Sequence, residues 1–137
     1  MTLVFLGLSA CQHDDTNIAV LIDARKVESS QLAEPPRTSP AGAAFVNVMN
    51  MRNRKDALLR VFEHSQHTAG RVYALIGLHQ IDISLYQHCL SQVRPAEQVS
   101  VVVGDVEGEQ SVAALLPQIE SGSLYRSITW TGATSKQ

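Results

Sequence analysis

Arg71-Val-Tyr-Ala-Leu-Ile-Gly-Leu78 is an almost unbroken apolar octet lying between two segments whose apolar residues recur at helical spacing. A run with so little polar surface between amphipathic neighbours reads as a helix buried all round. Upstream, Asn53 is a predicted N-cap with Asp56 in the first turn, and Ala57, Leu58, Val61 and Phe62 share one face. Arg54, Lys55, Arg60, Glu63 and Gln66 take the other face of this first helix, Asn53 to Gln66. Thr68 is the expected N-cap of the central helix, Ala69 to His79. Gly70 and Gly77 each cost about 1 kcal/mol against alanine inside a helix, so their presence points to a neighbouring backbone at close range. Asp82 caps a third helix with an apolar face of Leu85, Tyr86, Cys89, Leu90 and Val93, and Pro95 ends it. The turns between the three helices are too short for anything but antiparallel neighbours.

Beyond the third helix the period changes. Glu97 to Gly104 reads as a strand, Asp105 to Gly108 as a turn, Ser111 to Ile119 as a short helix interrupted by Pro117, and Leu124 to Trp130 as a second strand. The fold class expected is α+β and mainly helical, a three-helix antiparallel scaffold over 53–94 followed by strand, helix and strand. Ahead of the scaffold, Ala43 to Met51 is apolar and leads into the first helix. Glu28 to Gly42, with Ser29-Ser30, Pro35-Pro36 and Ser39-Pro40, is expected to form an exposed linker, since proline lacks an N–H and restricts its predecessor. Ile18-Ala-Val-Leu-Ile22, within Thr16 to Val27, is expected as a short strand able to pair with the C-terminal ones. The layout is then 1–10, 11–50 as tether, and one domain over 51–137.

The chain has 137 residues, 45% of them hydrophobic, enough for one core and too few to suggest two. A net charge of -2 and the absence of a Lys/Arg run exclude the cationic footprint that nucleic-acid binding requires. The two cysteines, Cys11 and Cys89, stand in unrelated contexts, so no disulfide framework is expected.

At the N-terminus the apolar run Thr2 to Leu8 leads into Leu8-Ser9-Ala10-Cys11. These four residues match, position by position, the lipobox of a bacterial lipoprotein signal peptide, which the N-terminus resembles. The charged region that normally opens a secretory peptide has no counterpart before Thr2. The resemblance implies cleavage before Cys11, a diacylglycerol on its thiol and an acylated amino terminus, an anchor that two chains already make stable. Gln12, where the family's inner-membrane proteins carry Asp, implies the periplasmic face of the outer membrane. The helix at 71–78 with its two neighbours is also similar to the inner helices of HEAT-type repeats, over residues 53 to 94, without a second copy. The same combination resembles small Gram-negative lipoproteins of no assigned activity.

Catalytic signatures are absent: there is no G-x-S-x-G, H-E-x-x-H, C-x-x-C, S-x-x-K or P-loop. His64 and His67 supply two metal ligands where a structural zinc site needs about four, and His79 is expected at the far end of the central helix, so no metal and no cofactor is expected. Cys89 falls on an apolar face, and His88 beside it points elsewhere because adjacent helical residues diverge; a buried thiol is expected rather than a nucleophile. Tyr73, Tyr86, Tyr125 and Trp130 are assigned to packing ahead of binding, and Arg52, Arg54, Lys55 and Arg60 to a solvated face. The function expected is a non-enzymatic, lipid-anchored periplasmic module that binds another protein, as an accessory subunit of an envelope assembly or a toxin-immunity protein. The alternative is a small envelope enzyme or ligand carrier using a pocket between the helices and the C-terminal strands, a reading that a deep pocket with converging polar groups such as His67, Asp105 or Arg126 would favour.

Overall fold

In the computed structural model of the chain, residues 15–29, 39–103 and 106–129 are described. They form, in order, α1 (15–22), β1 (Lys26–Ser29), α2 (Pro40–Met49), α3 (Arg54–His64), α4 (Thr68–Ile81), α5 (Ile83–Leu90), β2 (Gln98–Val103), β3 (Val106–Ser111), α6 (Val112–Glu120) and α7 (Ser123–Thr129). The class is α+β and mainly helical. The lipobox with Cys11, residues 30–38 of the predicted linker, Asp105 and Trp130 lie outside the described residues.

The apolar octet is the middle of α4, and Val72 to Leu78 are buried without a break. Burial on every side is possible because α4 touches α3, α5, β1, β2, α6 and α7. Side chains of the size of Leu75, Ile76 and Leu78, each nearly or wholly buried, contribute roughly 1.5–3 kcal/mol apiece. Gly70 faces a neighbouring backbone, as the sequence suggested, whereas Gly77 faces side chains instead. A methyl on Gly70 would stand 2.7 Å from the Leu21 carbonyl oxygen and collide with the Ser65 side chain, and one on Gly77 would stand 2.8 Å from both Leu58 methyls.

The sheet has the order β1-β2-β3, with β1 parallel to β2 and β2 antiparallel to β3. Val27 stands opposite Val101, and Val101 opposite Gly108. Val27, Val99 and Val101 point into the core, beneath α2, α4 and α7, while Lys26, Glu28, Ser100, Glu107 and Glu109 alternate onto the outer face. At one end of that outer face Ser100 and Glu109 border the start of α4.

Several expected elements are corrected. Ile18–Ile22 is helical: Ile18 and Leu21 are buried three apart while Ala19 is exposed, so the β-branched residues misread a helical period. The N-terminal strand is instead Lys26–Ser29, whose single apolar residue gives no sequence signal. Pro40 does not end a segment; it opens α2 at the first helical position, behind Ser39, whose hydroxyl accepts from the Gly42 N–H at 2.9 Å. Gly108 belongs to β3 and not to a turn. Leu124 to Thr129 is helical, following Gly122 at φ +82, the left-handed value that glycine tolerates. Leu124 and Ile128 are four apart, a spacing that alternation and a helical face both satisfy, and buried Ser127 decides for the helix.

Candidate functional site

Arg71 is the only charged residue between Ala69 and Leu78, and a charge at the head of a buried helix must find a partner. Its guanidinium donates to Glu97 Oε2, and the Thr68 hydroxyl donates to the same oxygen at 2.6 Å. This is why Thr68 does not cap α4. The N-cap is His67, without a side-chain bond to the helix, and Thr68 is the first helical residue, turned toward Glu97. Burial acts to raise the Glu97 carboxyl, but the hydrogen bonds from Thr68 and Arg71, with the charges of Arg71 and Arg94, outweigh it and hold the group below the usual glutamate range.

Two clefts flank this pair, and both are lined by Arg71 and Glu97. One, of about 410 Å³, lies between the start of α4 and the strands, with Arg25, His67, Ser100 and Glu109 in its wall. The other, of about 440 Å³, is bounded by Phe62, Glu63, Gln92 and Arg94. Their walls are mostly polar, whereas small-molecule sites are mostly apolar with a few placed polar groups.

The histidines and Cys89 weighed in the sequence are dispersed. His64 ends α3 and His67 precedes α4, and among the described residues no group of three or more His, Cys, Asp or Glu is close enough to hold a metal ion. The His79 ring stands edge-on to Tyr86, centroids 4.8 Å apart, and its buried Nδ1 has no hydrogen-bond partner among the described residues. Exposed His88 meets Gln92. Cys89 is buried; burial and then the Glu63 charge push its thiol up, which leaves it protonated and inert. His67 lines the first cleft, while Arg126 lines neither and lies beside Gly122 at the α6–α7 turn.

The aromatic residues pack. Tyr73 lies tilted against Phe45 and Tyr125 edge-on to it, with centroids 5.7 and 6.0 Å away, and Tyr86 donates its hydroxyl to Glu120 at 2.8 Å. Burial first, then the bond to Glu120, raises the Tyr86 phenol. The cations of α3 are engaged within the fold: Lys55 pairs with Asp82 at 3.1 Å, Arg60 with Asp15 at 3.4 Å, and Arg54 donates to the Met49 carbonyl.

The two edges of the sheet differ. On β1 the Glu28 N–H donates to the Tyr73 hydroxyl at 3.0 Å. An N–H bonded to a side chain is not part of the ladder to β2, so it belongs to the outer edge, which α4 therefore shields. β3 makes its main contacts, among the described elements, with β2 and with α6, the helix that continues from it. Val106 is 72% exposed and Val103 39% exposed, and a methyl on Gly108 would meet nothing within 4 Å. Among the described residues β3 thus presents an unpaired hydrogen-bonding edge beside exposed Val103 and Val106. Arg71 was legible as an isolated charge in an apolar run, but the Glu-Gly-Glu core of β3 has low strand propensity and gave no signal. Comparison with protein-family models, curated proteins and solved structures gives no match.

Proposed function

We propose that this protein is a non-catalytic binding module for another protein, held at the periplasmic face of the outer membrane by lipid on Cys11. The anchor rests on Leu8 to Cys11. The binding role is carried by the β3 edge, since an exposed strand edge with adjoining apolar surface is a template for pairing with another chain. The partner is an envelope component or a periplasmic toxin.

The test combines mass and crosslinking. Expressed from its native upstream DNA in a Gram-negative host, the protein should lose ten residues, gain a triacyl mass and partition into detergent, all abolished by Cys11→Ala. A photo-crosslinking residue at Val106 should yield one reproducible protein adduct, and one at Gln118 on α6 should not. A soluble chain retaining Met1 sinks the anchor, and no adduct specific to Val106 sinks the binding role.

A second reading is favoured by the position of the first cleft, between helices and strands, whose volume falls in the ligand-pocket range of about 300–1,000 Å³. It would hold a small polar ligand against Arg25, His67 and Ser100. Saturable binding of such a ligand, lost on Arg25→Ala, distinguishes it.

A further inference from the structure

From the chemistry of the β3 edge we infer that the chain it accepts is an extended segment of alternating cationic and apolar residues, not a second copy of this protein. The inference rests on the binding role proposed above and specifies the partner.

A strand added to β3 continues both faces of the sheet, because residues directly opposite each other share a face. On the outer face of β3 stand Glu107 and Glu109, two residues apart, both exposed. Glu28 adds a third carboxylate to that face, with Lys26 its only cation among the described residues of the three strands. Lys26 reaches Glu107 at 3.2 Å, but both side chains are about half exposed, so the pair is screened and Glu107 keeps most of its field. An incoming strand with Lys or Arg at alternate positions sets two opposite charges across from Glu107 and Glu109. Its intervening residues fall on the other face, beside exposed Val106 and over the open space at Gly108. Apolar side chains suit those positions.

The same geometry opposes self-pairing. Two β3 strands joined antiparallel about a two-fold axis keep the same face on the same side. Glu107 and Glu109 of one copy would then oppose glutamates of the other, and directly opposed like charges destabilise a sheet. At the second edge the Tyr73 hydroxyl already occupies the Glu28 N–H.

The experiment titrates the full chain with two capped peptides, acetyl-(Lys-Val)₃-Lys-amide and acetyl-(Glu-Val)₃-Glu-amide, followed by calorimetry and amide exchange. The lysine peptide should bind and slow exchange at 106–111, and the glutamate peptide should not. The double variant Glu107→Lys/Glu109→Lys should weaken the lysine peptide on the order of tenfold, the effect of reversing two cross-strand charge pairs, and should accept the glutamate peptide. Wild type should sediment as a monomer. Equal binding of both peptides, binding without protection of 106–111, binding unchanged in the variant, or a wild-type dimer protected at 106–111 each overturns the inference. If the variant does not fold, the comparison of the two peptides on wild type decides alone. A Val106 adduct in cells without lysine-peptide binding overturns the partner chemistry and leaves the binding role standing; loss of both overturns both.

Discussion

Gly70 and Gly77 look equivalent in sequence, yet what surrounds them separates their roles. A methyl at position 70 meets the Leu21 carbonyl at 2.7 Å, and backbone there cannot move without shifting the end of α1, which the Gln66 N–H also holds through Ile22. Gly70→Ala should therefore cost about 2–3 kcal/mol, the range of an overpacked core. At position 77 the methyl meets the branched end of Leu58 and, at 3.1 Å, the Met49 sulfur, all ends of rotatable side chains. There the helix-propensity gain of about 1 kcal/mol offsets part of the strain, and the net loss should stay under about 1 kcal/mol. Urea midpoints of the two variants check this, and equal losses would show that α1 yields as readily as a side chain. The sequence pointed to a neighbouring backbone at both glycines, which holds at Gly70 and not at Gly77, because which atoms approach is a long-range fact that local pattern does not carry.

Among the elements, α4 and β2 meet through Thr68, Arg71 and Glu97, and this junction should be visible in acid. The Glu97 carboxyl is depressed in the fold, so its contribution is complete above its unfolded value of about 4.3 and is lost as pH falls through the lower folded value. Asp82, depressed first by the Leu85 N–H that it caps and then by Lys55, titrates in the same direction. Glu97→Gln should cost about 1–2 kcal/mol at neutral pH, as loss of charge-assisted hydrogen bonds does. It should also flatten the fall in urea midpoint below about pH 4, leaving the share of Asp82. An unchanged acid limb would remove Glu97 from the junction's energetics. α3, α4 and α5 were legible because helical periodicity over ten or so residues is a strong signal. Lys26–Ser29 and Val106–Ser111 were not, because each is a strand by virtue of what it pairs with rather than what it contains.

At the scale of the molecule, residues 15–29 and 40–50 are built into the core. Ile18, Leu21 and Val27 are each at most 2% exposed, and together their burial contributes roughly 5–9 kcal/mol, against a total stability of about 5–15 kcal/mol. A chain starting at Pro40 should show no cooperative urea transition, and a sharp one would mean that α2 to α7 fold alone. Cys11 therefore precedes the first described core helix by only a few residues. The parallel pairing of β1 with β2 also has a consequence in time. Lys26 takes its place beside Ser100, and no shorter loop can close that ladder. During synthesis β1 leaves the ribosome with four helices still to come before its partner strand. Contacts so distant in sequence are slow to form, and a nascent chain arrested before Gln98 would carry β1 without the strand it pairs with.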